Sequence, residues 1–181
     1  HCGFLSVCKT KGYPIENYNL PDHPMQKEVL HIFSEVCGVP EAEIPIGIDG
    51  CSVPVHAIPI KNMAMGFARE SNPEYLPAIY QEGAKELFAA MNAHPEMVAG
   101  TNGFCTELIR HTHGKLIGKL GAEAVYCVGI KDKNIGIAVK MEDGIYRGLW
   151  PTVMAVLEQL DVLTEEEKES LKSWAHPKVH N

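Results

Sequence analysis

The sequence has little positive charge and no long apolar run. Only 16 of its 181 residues are lysine or arginine, against 23 aspartates and glutamates, and the formal net charge is −7. Nucleic acids and anionic membranes attract proteins that carry a concentrated basic patch, and no such cluster is present. No apolar run approaches the roughly 18 residues that a membrane span needs. Neither nucleic acid nor a membrane is therefore an expected partner.

The six cysteines are scattered, and no two of them form a Cys-x-x-Cys motif. The chain is also longer than the small secreted domains that disulfide frameworks stabilise. We therefore expect reduced thiols in a cytoplasmic protein, most of them behaving as small buried hydrophobic residues. A glycine-rich phosphate loop, a dinucleotide fingerprint and a Ser-His-Asp pattern are not evident either.

The length suffices for one domain with a sizeable core, and we expect a single domain over residues 1–181. Apolar spacing and capping residues predict helices, and alternation predicts strands. The expected helices cover residues 1–11, a segment after Asp22 that ends at Gly38, 60–69, 77–93, 106–111, a segment between Asp143 and Leu160, and a short one after Thr164. The run Thr164-Glu165-Glu166-Glu167 is expected to form a capping box at the start of the last helix. The expected strands cover residues 44–48, 115–119, 122–130 and 134–141.

Two helix predictions are specific enough to check in detail. The helix over residues 77–93 is expected to bury one face that carries Ile79, Tyr80, Gly83, Leu87, Phe88 and Met91. Asp22 and Asp143 are expected to cap the helices that follow them. Helices first, then antiparallel strands, then a helix again predict a mixed α/β fold of the α+β kind.

Lys119 and Gly121 form a Lys-x-Gly motif directly before the apolar run 124–130. Such a motif at a strand edge places an ammonium beside a backbone that no side chain covers, so a small substrate can lie against the strand. Serine β-lactamases use Lys-Thr-Gly in this way, together with a Ser-x-x-Lys pair. The alternative is a surface lysine before a bulge glycine. Glu123 follows closely and is expected to pair with Lys119 or to contact the substrate.

Cys51 lies at the end of the expected strand 44–48, in a tight turn with Asp49 and Gly50. This turn can present a thiolate, with Asp49 orienting a ligand or a water molecule. One cysteine does not make a zinc site, because zinc usually takes four ligands, often three from protein. The alternative is a buried structural thiol.

Five ordered blocks resemble the asparaginase II family, the L-asparaginases similar to the rhizobial thermolabile enzyme. The resemblance runs from His1 to about Leu160. The blocks are Asp22-His23-Pro24-x-Gln26, Gly47-Ile48-Asp49-Gly50-Cys51-x-Val53-Pro54, the run 94–101, the run 119–129 and Lys140-Met141-Glu142-Asp143-Gly144.

The resemblance implies a fold like that of serine β-lactamases and glutaminases, with an antiparallel sheet flanked by helices, of which this chain holds a part. It implies hydrolysis of L-asparagine to aspartate and ammonia by Ser-Lys chemistry. The alternatives are a related Ser-Lys hydrolase, such as a glutaminase or a β-lactam-acting protein, and a non-catalytic remnant or binding module. Family members also carry an arginine near the position of Gly103, which this chain lacks.

The resemblance further implies site residues and partners. Lys119 matches a catalytic lysine, and Cys51 matches one of three zinc ligands, the others being a cysteine and a lysine of an Asn-Cys-Ser-Gly-Lys motif. We expect Asp49, Gly121 and Glu123 to contact the amide substrate. The nucleophilic serines and the remaining ligands are expected in an N-terminal half, which makes this chain a C-terminal portion. A homodimer is expected at family level.

Overall fold

The computed structural model describes residues 1–177. The chain divides into two units, His1–Asn62 and Met63–Asn181. Helices and two small antiparallel sheets make up these units, so the predicted α+β class is confirmed. Within the described residues, no helix combines the length and apolar character that crossing a membrane requires.

The first unit contains two helices and a two-stranded hairpin. Helix α1 (Cys2–Lys11) and helix α2 (Pro24–Cys37) both end at a left-handed glycine, Gly12 and Gly38. Glycine takes this conformation without a steric penalty, so both ends follow from local sequence, as predicted. Strands β1 (Ile46–Ile48) and β2 (Pro54–His56) pair antiparallel; sequence analysis did not predict β2.

The cap of helix α2 is His23, and the prediction for Asp22 is wrong. The ring nitrogen Nδ1 of His23 accepts a hydrogen bond from the backbone N–H of Met25 at 3.1 Å. Its Nε2 lies 3.0 Å from the carbonyl oxygen of Pro14 and donates to it. Proline fits the first helical position because it needs no hydrogen bond to its nitrogen there. Pro24 therefore makes His23, the residue before it, the cap.

A three-stranded antiparallel sheet organises the second unit. Its strands are β3 (Leu116–Gly121), β4 (Val125–Ile130) and β5 (Ile135–Lys140), in the order β3-β4-β5. The helices are α3 (Ile60–Ser71), which begins at the end of the first unit, α4 (Ala78–Ala93), α5 (Glu96–Ala99), α6 (Phe104–His111), α7 (Leu149–Gln159) and α8 (Glu165–Ala175).

The two faces of the sheet are covered differently. One face carries Tyr126, Val128 and Ile130 into the main hydrophobic core, where α6 packs on β3 and α8 packs on α6 and α7. On the other face the paired Gly129 and Gly136 leave room for the backbone of α3. A Cβ on Gly136 would lie 1.8 Å from the carbonyl oxygen of Ala64. Glycine here permits close contact between helix and sheet.

Two predictions about the helices of this unit are wrong. Ile79 and Leu87 of α4, predicted to be buried, are 82% and 49% exposed, whereas Phe88 of the predicted face is buried together with Ala84. Asp143 caps no helix. Its carboxylate accepts from the backbone N–H of Ile145 at 2.9 Å, and α7 begins later, after a 3₁₀ turn at Tyr146–Gly148.

Candidate functional site

Lys119 lies on β3, an outer strand of the three-stranded sheet, opposite Cys127 of β4. Because side chains alternate along a strand, Lys119 lies on the same face as Ile117 and Gly121, away from the main core. The side chain is exposed, and its Nζ donates to the carbonyl oxygen of Leu120 at 2.9 Å. The strand continues through Gly121, beyond its predicted end at Lys119.

Gly121 pairs with Val125 at the end of the β3–β4 ladder. A Cβ at Gly121 would lie 3.3 Å from the Cβ of Val125, closer than side chains ordinarily approach. The glycine therefore relieves a cross-strand contact, and it also leaves the backbone beside Lys119 without a side chain. Both readings of the Lys-x-Gly motif are compatible with this position.

Glu123 does not pair with Lys119 as expected. No ion pair joins them within residues 1–177, and the Lys119 ammonium bonds to a backbone carbonyl instead. The physical reason is the turn between β3 and β4, in which Glu123 and Ala124 both have positive φ, 53° and 56°. The carboxylate of Glu123 is left exposed on this turn.

Two consecutive left-handed residues without a glycine are unfavourable. Each costs roughly 1–2 kcal/mol because the Cβ approaches the following carbonyl. Ala124 is fully buried, and its carbonyl oxygen accepts from the N–H of Met141 at 3.0 Å. Lys140 Nζ donates to the carbonyl oxygens of Glu123 at 2.7 Å and Met141 at 2.6 Å. The turn is thus held by neighbours outside itself.

Sequence analysis assigned no role to Lys140, although it belongs to one of the five blocks. Sequence analysis placed residues 122–124 inside a strand, whereas they form the turn between β3 and β4 and contain no glycine. Three-residue hairpin connections ordinarily include a left-handed position that favours glycine. Its absence in Ala122-Glu123-Ala124 points to support from elsewhere in the fold.

Gly118 and Tyr126 attach β3 to the core behind Lys119. Tyr126 is fully buried, and a Cβ on Gly118 would lie 2.5 Å from its hydroxyl oxygen. Burial raises the pKa of Tyr126 well above its ordinary value, and the neighbouring Cys105 adds to the shift. The phenol therefore stays neutral at physiological pH, and the strand cannot move inward without displacing it.

Asp49 and Cys51 lie together in the first unit, in the turn between β1 and β2. The Cys51 Sγ lies 3.4 Å from Asp49 Oδ2, with both side chains exposed. Asp49 also receives a backbone hydrogen bond from Ser52 at 2.8 Å, and Asn19 Nδ2 donates to the carbonyl oxygen of Ser52 at 3.0 Å. The predicted neighbourhood of thiol and carboxylate is present, and Asn19 supports it.

Cys51 and Asp49 offer a partial donor set for zinc. Within residues 1–177, no three side chains of histidine, cysteine, aspartate or glutamate converge as a metal site would require. Zinc usually takes four ligands, often three from protein. The described residues do not complete a zinc site by themselves, and zinc binding at Cys51 stays a prediction.

Three further residues bear on the catalytic interpretation. Ser6 and Lys9 have the Ser-x-x-Lys spacing, which sequence analysis did not use; both are exposed on α1. Gly103 begins α6, and a Cβ there would lie 2.4 Å from the carbonyl oxygen of Ala99. A glycine is therefore required at 103 by the tight approach of α5.

Comparison with known proteins gives one match that covers the chain. A family model described as L-asparaginase II matches residues 1–181. The match includes the segment after Leu160, where the resemblance read from the sequence blocks ended. No match to the chain was found among curated proteins.

Proposed function

Because the chain belongs to the L-asparaginase II family, whose activity class is an asparaginase-type amidohydrolase, we propose that it serves in the hydrolysis of L-asparagine to aspartate and ammonia. The observation that best supports this proposal is the position of Lys119. Its exposed ammonium lies on an outer strand beside Gly121, with no carboxylate bound to it in the described chain.

The proposed role of Lys119 is to act on the reacting amide. A serine from the N-terminal half that the resemblance implies gives up its hydroxyl proton and attacks the amide carbon; the leaving nitrogen takes up a proton and departs as ammonia, and water then hydrolyses the acyl–serine ester to release aspartate. Lys119 is the group that we propose to exchange a proton with the reacting groups. As an ammonium it stabilises the negative charge that develops on the substrate oxygen.

The substrate-contacting residues belong to the same proposal. Gly121 leaves the backbone next to Lys119 open, and the Glu123 carboxylate is exposed on the following turn. We propose that Asp49, which accepts a hydrogen bond from the Cys51 thiol, orients a ligand or a water molecule beside Cys51. Cys51 would hold zinc with donors from the N-terminal half. A homodimer and a cytoplasmic location remain expectations.

Substitution of Lys119 tests the proposal. General acid–base catalysis contributes about 10²–10⁴-fold to rate, whereas replacing an exposed lysine changes stability by less than about 0.5 kcal/mol. In the complete enzyme, Lys119→Met should lower kcat at least roughly a hundredfold and leave the melting temperature nearly unchanged. Ammonia release and thermal unfolding measure the two effects.

Two further variants sharpen the result. Lys119→Arg should not restore turnover, because a guanidinium does not give up its proton. Lys133→Met is the matched control, since Lys133 is also exposed and lies on the turn between β4 and β5. If Lys119→Met keeps most of its turnover, the Lys-x-Gly motif is a strand edge without catalytic function. A higher kcat/KM for glutamine than for asparagine would favour the glutaminase alternative.

A further inference from the structure

The end of the sheet nearest Gly121 contains a second lysine whose contacts are all to backbone oxygens. Val125 pairs with Gly121 on one side and with Lys140 on the other. Lys140 therefore stands in the same cross-strand row as Gly121, two strands away. Because residues in one row point to the same face of a sheet, the side chain of Lys140 projects from the face that carries Lys119.

The Lys140 ammonium bridges the β3–β4 turn and the residue that follows β5. It donates to the carbonyl oxygen of Glu123 in the β3–β4 turn at 2.7 Å and to that of Met141 at 2.6 Å. The N–H of Met141 in turn donates to the carbonyl oxygen of Ala124 at 3.0 Å. A Cβ on Gly144 would lie 3.6 Å from the Cβ of Glu123, so the loop after β5 also packs on the turn.

These contacts stabilise a backbone conformation that is unfavourable by itself. Glu123 and Ala124 both have positive φ without being glycine, a conformation that persists where surrounding structure imposes it. The turn follows Gly121 directly and ends the strand that carries Lys119. If the turn relaxes, the last residues of β3 are free to leave the ladder, and Lys119 moves with them.

From this arrangement we propose that Lys140 is a positioning residue, which holds the β3–β4 turn and so keeps Lys119 and Gly121 in place for the substrate. Lys140 acts through backbone carbonyls and does not touch the reacting atoms. The inference rests on the proposed function for its catalytic consequence, whereas the state of the turn can be measured without substrate.

The experiment uses the complete enzyme with Lys140→Met, Lys140→Arg and the control Lys133→Met. Hydrogen exchange of the peptide segment 119–126 should accelerate in Lys140→Met and stay at the wild-type rate in the control. The kcat per folded molecule, with folding measured by circular dichroism, should fall on the order of tenfold or more, since small misplacements have such effects. KM should change little. Lys140→Arg should keep a slow exchange rate in this segment and most of the wild-type kcat, because arginine keeps the charge and several N–H donors.

A second variant keeps the proposal testable if Lys140→Met does not fold. Glycine adopts the left-handed conformation without strain, so adding Ala124→Gly to Lys140→Met should restore part of the turnover or, if Lys140→Met does not fold, part of the folding. Unchanged exchange in folded Lys140→Met overturns the proposal, as does accelerated exchange with unchanged kcat. Failure of both Lys140→Met and the double variant to fold overturns it too, because the role would then not be local.

The activities of Lys119→Met and Lys140→Met distinguish a failure of this inference from a failure of the proposed function. If Lys119→Met retains turnover, the proposed function fails, and the catalytic part of the Lys140 inference fails with it. The exchange measurement still decides whether Lys140 holds the turn. If Lys119→Met is inactive and Lys140→Met is fully active, the proposed function stands and the positioning role is wrong.

Discussion

At the scale of single residues, Cys51 is the proposed zinc ligand of this chain. Its thiol lies 3.4 Å from Asp49 Oδ2 in an exposed turn. In the complete enzyme, Cys51→Ser should lower zinc affinity sharply, because a hydroxyl replaces a soft thiolate ligand. Calorimetric titration with zinc measures the change.

The control for this prediction is Cys2→Ser, which removes another exposed thiol of the first unit. It should leave zinc affinity near that of the wild type. Equal affinities of wild type and Cys51→Ser would identify Cys51 as a structural thiol.

At the scale of elements, helix α8 depends on one buried carboxylate. Glu167 is buried and accepts from Lys115 Nζ at 2.7 Å and from the N–H of Thr164 at 2.8 Å. With the return bond from its own N–H to the Thr164 hydroxyl, this is the predicted capping box. Burial acts to raise the pKa of Glu167, but the bonds to Lys115 and Thr164 outweigh it, and the pKa is lowered from the ordinary 4.5.

The lowered pKa of Glu167 determines how the stability of the fold changes with pH. A carboxyl whose pKa is lower in the folded state stabilises the fold above its unfolded pKa, and that contribution is lost as pH falls through the folded value. The free energy of unfolding should therefore decrease as pH falls below about 4.5, and Glu167→Gln should show a smaller decrease. Urea unfolding at several pH values measures it.

Two comparisons check the assignment to Glu167. Near neutral pH, Glu167→Gln should cost about 1 kcal/mol, because it removes the charged acceptor of Lys115 while glutamine can still complete the capping box. Glu169→Gln, which breaks an exposed pair with Lys172, should change stability by less, since surface pairs contribute little. Equal pH dependence of wild type and Glu167→Gln would show that other groups control acid stability.

At the scale of the whole molecule, the question is whether this chain can act alone. If the nucleophilic serine belongs to an N-terminal half, as we propose, purified residues 1–181 should release no ammonia from asparagine. A sensitive ammonia assay with the complete enzyme as positive control measures this. Turnover by the isolated chain that Ser6→Ala abolishes would contradict the prediction and would assign the nucleophile to the Ser-x-x-Lys spacing of α1.

The sequence by itself determined the family, the α+β class and the features that local rules control. The helix ends at Gly12 and Gly38, the capping box at Thr164 and the strand beside Lys119 all depend on residues within a few positions of one another. Capping, glycine conformation and apolar alternation act over this distance. The contact between Cys51 and Asp49 belongs to the same class, because one tight turn brings them together.

The tertiary structure decided which of several local possibilities is used. Ile79, Leu87 and Phe88 fit a helical apolar face, but of these three the second unit buries Phe88 alone, together with Ala84. Periodicity does not specify which side a neighbouring element covers. Lys119 and Glu123 are close in sequence, yet the left-handed turn leaves them unpaired, and its support comes from Lys140 on a different strand. Hydrogen bonds between residues distant in sequence form only after the strands have paired, so no local pattern predicts them.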